Sequence, residues 1–250
     1  MDRARRIWED LGQRDPYFAV STFEDFRNEF LDDASREKFF LSGVKYVERL
    51  WAEIEDGFGV SFSPNRSLDY GCGVGRVLIP LAGKSRSAVG VDISLTMLAE
   101  ARKNCADQNV HNAEFQDDGE FLTADDKFDF VHSYIVLQHI APRAGNEIIG
   151  KMTDRLSIGG IGMIHVTFHD PSSWGLKFRS RIYRDLPRVR RALMLLRGGK
   201  DRFIPMYEYD LNTVFQILKA RGCNESFIRF SDHGSLGAMI FFRKVGSDIY

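Results

Sequence analysis

Ser67-Leu68-Asp69-Tyr70-Gly71-Cys72-Gly73-Val74-Gly75-Arg76 is the stretch on which the reading of this chain turns. Ser67 to Tyr70 reads as the end of a strand, Gly71 to Gly75 as a tight turn, and Arg76-Val77-Leu78-Ile79 as the opening of a helix. Glycine at alternate positions permits positive φ and removes each Cβ that would hold a ligand away, and the helix N-terminus presents unpaired N–H groups. A polar cofactor is therefore expected to rest on the main chain here. The dinucleotide fingerprint G-x-G-x-x-G is not met, because Arg76 stands where its last glycine would fall.

On the N-terminal side the pattern is helical. Trp8 and Leu11 are three apart, and Phe39, Phe40, Val44, Val47, Leu50, Trp51 and Ile54 recur at helical intervals, predicting an amphipathic helix that ends near Gly57. The aromatic cluster Tyr17, Phe18, Phe23, Phe26, Phe30, Phe39 and Phe40 suits a core, or in part the wall of an apolar pocket. After Pro64-Asn65 strands alternate with helices, which implies a parallel sheet wound by right-handed crossovers. The expected strands are 66–70, 88–92, 113–116, 128–133 and 161–167. Helices are expected over 75–82, after the capping residue Ser94, and over 143–156, the last leading into a turn at Ser157-Ile158-Gly159-Gly160. A helix over 210–221 and strands at 225–230 and 238–243 close the chain.

In an open α/β sheet, ligands bind beyond the carboxyl ends of the strands where the winding reverses. Asp92 ends the second strand, about twenty residues past the glycine turn, where a carboxylate can accept hydrogen bonds from both ribose hydroxyls. Its other use would be to cap the next helix, for which Ser94 is better suited. Asp117-Asp118-Gly119 follows the third strand and reads either as a site or as a surface turn.

The run Asp69 to Gly75 resembles the D-x-G-x-G-x-G signature of class I S-adenosylmethionine-dependent methyltransferases. Phe128-Asp129-Phe130-Val131-His132-Ser133-Tyr134-Ile135-Val136-Leu137-Gln138-His139 resembles that family's F-D-x-V-x-S-x-x-x-L-x-H segment. The resemblance spans roughly residues 65 to 170. It implies a Rossmann-like α/β sheet of seven strands in the order 3-2-1-4-5-7-6, the last antiparallel, with helices on both faces. Residues 1–64 would be a helical cap and 65–250 the methyltransferase domain. It implies S-adenosyl-L-methionine as cofactor, leaving as S-adenosyl-L-homocysteine. The glycine turn with Gly71, Cys72, Gly73 and Gly75 would hold it, together with Asp69, acting through the loop or on the ammonium group, and Asp92 on the ribose. Ile93 and Met97 would flank the adenine, Asp118 (or Asp117) and Gly119 would meet its edge, and Ser133 and Tyr134 would face the methionine. Ser42, Gly43 and Tyr46, in the segment before the turn, are further candidate contacts.

The reaction implied is in-line displacement of an activated methyl by an acceptor nucleophile, oxygen or nitrogen first, with no metal required. An acceptor that must lose a proton calls for a base, and His139, just past the fourth strand, is the candidate, against a purely hydrogen-bonding role there. His165, His169 and Asp170 lack a recognised ligand spacing, so no metal site is assigned. The competing function is a non-catalytic module that keeps the cofactor fold for regulation or assembly. A nicotinamide oxidoreductase is disfavoured by Arg76.

Composition is that of an ordinary globular protein, 44% hydrophobic and 28% charged, and a net charge of −1 gives no pull toward DNA. Three distant cysteines, Cys72, Cys105 and Cys223, offer neither a disulfide framework nor a metal motif. With no secretory signal and no apolar run of about 18 residues, a cytoplasmic location is expected. Charge is uneven, however. Residues 171–205 carry ten basic residues against Asp185 and Asp201, interleaved with apolar ones. This insertion reads as a solvated cap face, an entrance for a small anionic substrate, or a contact for RNA or a peripheral membrane.

Overall fold

The computed structural model describes residues 3–170 and 204–246. All but the last two positions of the basic 171–205 segment therefore lie outside the described residues, as do the one or two amphipathic helices, broken at Pro187, that its pattern of charged and apolar residues predicts. In chain order, the described elements begin with α1 (Arg3–Arg14), α2 (Pro16–Val20) and the long α3 (Asp33–Phe58). There follow β1 (Arg66–Tyr70), α4 (Leu78–Lys84), β2 (Ser87–Asp92), α5 (Leu95–Asp107), β3 (Ala113–Asp117), α6 (Asp118–Thr123), β4 (Phe128–Ser133) and α7 (Pro142–Asp154). The chain continues through β5 (Leu156–His169), α8 (Leu211–Lys219), β6 (Cys223–Asp232) and β7 (Leu236–Lys244).

The strands form one sheet in the order β3-β2-β1-β4-β5-β7-β6. β1 to β5 run parallel, and β7 lies antiparallel between β5 and β6. This is the expected order with its closing antiparallel hairpin. Helices cover both faces. On one, Val47, Leu50, Trp51 and Ile54 of α3 pack with Leu81 of α4 against Phe130, Ile161, Met163 and Phe241 of the sheet. On the other, Ile148, Ile149 and Met152 of α7 and Val214 and Leu218 of α8 close over Leu68, Val89, Val131 and Ile164. Each of these side chains is nearly or fully removed from water, worth about 1.5–3 kcal/mol apiece in transfer terms.

Several boundaries differ from expectation for local reasons. α3 runs to Phe58 and is stopped by Gly59, left-handed at φ 63°, whereas Gly57 leaves room for the Phe227 ring, which an added Cβ would meet at 2.2 Å. α4 begins at Leu78, not near residue 75, because Gly71, Gly73 and Gly75 all hold positive φ (81°, 53° and 90°) and keep the chain in a turn. The expected turn at 157–160 falls inside β5, where Gly159 at φ 83° sits in an irregularity opposite Phe128 to Phe130. Of the aromatic cluster, Tyr17, Phe26 and Phe39 are buried beneath the N-terminal helices with Val74 and Met97, while Phe23 and Phe30 face solvent.

Candidate functional site

β1 ends at the centre of the sheet, between β2 and β4, so the turn after Tyr70 opens where the winding reverses. The amides of Gly71 and Cys72 both donate to the Val91 carbonyl (2.7 and 3.0 Å), tying the turn to the end of β2. Asp92, half-buried there, accepts from the Gly73 amide through one oxygen and from the Ser94 amide through the other, each at 2.9 Å. Loss of water pushes its carboxyl up to about 6, helped by the charges of Asp69 and Asp118. The three carboxylates stand at the carboxyl ends of the neighbouring strands β1, β2 and β3, near enough for their charges to act on one another. Ser94 caps α5, as expected, by accepting from the Met97 amide.

The register alternative at the β3 end resolves into two different jobs. Asp117 caps α6, its side chain accepting from Glu120 N–H while Glu120 accepts from Asp117 N–H, both at 2.9 Å. Asp118 instead accepts from the Tyr70 hydroxyl at 2.6 Å. Burial, followed by that carboxylate, raises the Tyr70 phenol, so it stays a donor. Gly119 is exposed beside Asp118, and Ile93 is half-buried. Met97 is fully enclosed with Tyr17 and Phe39, and the Cys72 thiol is buried and pushed up by desolvation and by Asp92.

Ser133 is fully buried and its hydroxyl donates to the Tyr70 carbonyl at 3.0 Å, bracing β4 against β1. Tyr134 is half-buried, lies 4.6 Å from the Tyr46 ring and shares a 2.9 Å hydrogen bond with His233. His139 packs edge-on against Trp8 of α1 at 5.4 Å. Its Nδ1 lies 3.1 Å from the Pro205 carbonyl and so carries the proton, leaving Nε2 to accept from the Gln138 amide at 3.1 Å. Burial lowers the His139 pKa, which keeps the ring neutral.

Several residues that join this region, among them His132, Glu9 and Asn104, were not candidates in the sequence. Asp69 and His132 are register partners across β1 and β4, and Asp69 Oδ1 lies 2.8 Å from His132 Nδ1. His132 Nε2 in turn lies 2.9 Å from the Tyr46 hydroxyl, giving a buried Asp69–His132–Tyr46 chain. The signal available for it was a histidine on the Phe128/Phe130 face of a buried strand. Behind it, on the same face, His165 shares a 2.8 Å hydrogen bond with the Ser231 hydroxyl, and burial lowers it to about 4. The N-terminal helices lie across the cleft. Glu9 of α1 accepts from the hydroxyls of Ser94 (2.8 Å) and Thr96 at the start of α5. Tyr17 donates to Asn104 at 2.9 Å, and Asn104 donates to the Val74 carbonyl. Among the described residues no group of three histidines, cysteines or carboxylates is arranged to hold a metal ion, and no helix is long and apolar enough to cross a membrane.

Residues 68–160 match a family described as a methyltransferase domain. Over 116 residues the chain is 31% identical to an uncharacterized methyltransferase of Synechocystis sp., covering 46% of this chain and 53% of that protein. Over 50 residues it is 44% identical to a 23S rRNA (uracil(1939)-C(5))-methyltransferase of Pseudomonas fluorescens, covering 20% of this chain and 11% of that one. The chain thus spans about half the length of the first of these relatives and far less of the second. Among solved structures, magnesium protoporphyrin IX methyltransferase from Synechocystis with bound S-adenosylhomocysteine superposes with a TM-score of 0.57 at 19% identity. That likeness covers 92% of this chain and 97% of that one. The N-methyltransferase NodS from Bradyrhizobium japonicum, also with S-adenosylhomocysteine, gives 0.57 at 14% identity over 98% and 100%. Residues 68–160, which hold the glycine turn and β4, thus match a methyltransferase domain, and the strand order 3-2-1-4-5-7-6 is that of the Rossmann-like methyltransferase fold.

Proposed function

We propose that this chain binds S-adenosyl-L-methionine and transfers its methyl group to a small-molecule acceptor with an oxygen or nitrogen nucleophile. The observation that carries the reading is the convergence of Asp92 on the glycine turn, with Asp69 and Asp118 close enough to raise it. Asp92 would hold the ribose hydroxyls and Asp118, steadied by Tyr70, the adenine edge. The buried, unpartnered Asp69 Oδ2 would receive the ammonium of the amino-acid end. When bound, the cofactor supplies a methyl already activated by a sulfonium, which needs no Lewis acid. The protein's own task is then alignment and exclusion of water, and well-oriented reactants gain roughly 7–11 kcal/mol from proximity.

An acceptor that must shed a proton has two routes in this region. One ends at His139 Nε2; the other runs through the Tyr46 hydroxyl, which would pass its proton to His132 Nε2 as it takes the acceptor's, so that the phenol, held high by burial, is not left ionised.

Titration calorimetry with S-adenosylhomocysteine tests the proposal. Wild type should bind in the micromolar range, and Asp92→Ala should weaken binding at least tenfold by removing a charged acceptor. Absence of binding at millimolar ligand, or a fluorescence response to NADH in its place, would overturn it.

A further inference from the structure

Tyr134 at the end of β4, His165 on β5 and His233 in the β6–β7 turn form a triangle of rings. The Tyr134 centroid lies 5.2 Å from that of His165 and 6.1 Å from that of His233, and the two imidazoles are 6.0 Å apart, each pair edge-on. Tyr134 also lies 4.6 Å from the ring of Tyr46, whose hydroxyl meets His132. Four aromatic groups therefore stand together beside the candidate proton route.

The placement of His165 depends on a glycine. Its Nε2 lies 2.8 Å from the Ser231 hydroxyl on β6, and to reach it the side chain crosses the intervening β7 at Gly237. A Cβ on Gly237 would fall 2.4 Å from that nitrogen and 2.6 Å from the Ser231 oxygen. His165 is 2% exposed, and burial lowers it to about 4, so the ring is neutral, yet its Nδ1 has no hydrogen-bond partner. A buried ring nitrogen left unmet is costly, and such a group is commonly satisfied by a ligand or a water. His233 is the exposed member, and its Nε2 shares a 2.9 Å hydrogen bond with the Tyr134 hydroxyl. It can leave by rotating its own side chain, at the loss of that one bond.

A hydroxyl satisfies His165 Nδ1 whichever tautomer is present, because it donates to a bare nitrogen and accepts from a protonated one. Rings arranged in this way favour a flat aromatic partner in edge-on or offset contact. Nearby charge selects oxygen over nitrogen. Burial raises the Tyr134 phenol, against the charges of Arg76 and Arg49, which favour its ionised form. A phenol seated beside Tyr134 feels the same two cations, which ease its loss of a proton, whereas an ammonium is repelled.

We propose that the methyl acceptor is an aromatic ring with two neighbouring hydroxyls, packed on Tyr134 and His233, one hydroxyl directed to Tyr46 and the other bonded to His165 Nδ1. This deepens the methyltransferase reading above and rests on it. The reacting oxygen bonds the methyl through its own lone pair, sulfur keeps the pair of the bond that breaks, and the proton leaves through Tyr46 to His132.

The test gives the full chain labelled S-adenosylmethionine and three acceptors: catechol, phenol and cyclohexanediol. The value of kcat/KM should be about tenfold higher for catechol than for phenol, and at least about tenfold higher for catechol than for cyclohexanediol. His165→Phe keeps a ring and removes its nitrogens, and it should erase the preference for catechol over phenol; a merely structural His165 would lower both acceptors alike. A second readout needs no turnover. Catechol added to the wild-type complex with S-adenosylhomocysteine should shift the imidazole carbon resonances of His165 and His233, and cyclohexanediol should not. Equal transfer to cyclohexanediol and catechol, a catechol preference kept in His165→Phe, or resonances unmoved by catechol would overturn the assignment, and if His165→Phe does not fold the resonances decide. Binding of S-adenosylhomocysteine without transfer to any of the three acceptors also overturns it, while the methyltransferase reading stands. If S-adenosylhomocysteine does not bind, that reading itself fails and the acceptor assignment falls with it.

Discussion

Replacing Asp92 by Asn separates the cost of this carboxylate in the fold from its use. In the folded chain its pKa is about 6, against an ordinary 3.8. Between those values the folded state holds a proton that the unfolded chain has released. Stability therefore falls as pH rises from about 4 to above 6, by about 3 kcal/mol at most. Asn carries no such titration. It does lose one of two acceptors, for the Gly73 or the Ser94 amide, a penalty of roughly 1–3 kcal/mol that is the same at every pH. The stability of Asp92→Asn minus that of wild type should thus grow more favourable by about 3 kcal/mol between about pH 4 and pH 7. Urea unfolding followed by circular dichroism at closely spaced pH values measures this directly. Parallel profiles for the two proteins would show that Asp92 is not held in a water-poor cleft. Only the ionised carboxylate accepts both ribose hydroxyls, so wild-type affinity for S-adenosylhomocysteine should also rise as pH passes about 6, and the variant's should not.

Gly73→Ala combines a left-handed φ of 53° with a Cβ that would stand 2.5 Å from Val20 Cγ2 of α2. We expect a loss of about 2 kcal/mol and a midpoint lowered by ~4–8 °C, and a scanning-calorimetry trace matching wild type would refute it. The two proton acceptors are separated by Tyr46→Phe and His139→Gln, assayed with labelled S-adenosylmethionine on an alcohol or amine acceptor. If Tyr46 and His132 carry the proton, Tyr46→Phe should lower kcat by about 10²–10⁴ and leave S-adenosylhomocysteine binding unchanged, whereas equal activity of Tyr46→Phe and wild type would leave His139 as the base.

Local chemistry was legible in the sequence where it acts over a few residues. The glycine turn, the Ser94 cap and the alternation of strands and helices each follow from residues close together, and they settle the sheet order once a family resemblance supplies its last three members. Contacts made across the sheet were not. Asp69 meets His132 only because β1 and β4 pair in one register, and a histidine within an apolar strand gives no hint of its partner. Arg76 read only as the opening of a helix, and nothing in the sequence showed that the approach of Gly43 closes α3 over it. Nor did the sequence show that the N-terminal helices, through Glu9 and Tyr17 reaching α5, pack Tyr17 and Phe39 over Met97. Gly159-Gly160 looked like a chain reversal, although a strand can absorb them in a bulge.

The antiparallel placement of β7 bears on how the protein is made. Its residues pair with β5 from Ile161 to His169 and screen it from β6, so that flank of β5 has no neighbour while synthesis proceeds from the N-terminus toward Leu236. A nascent chain therefore carries an open, largely apolar ribbon at the middle of its future sheet until β7 leaves the ribosome, the kind of edge that recruits foreign strands. Closure of the hydrophobic interior waits on that single late-made hairpin strand.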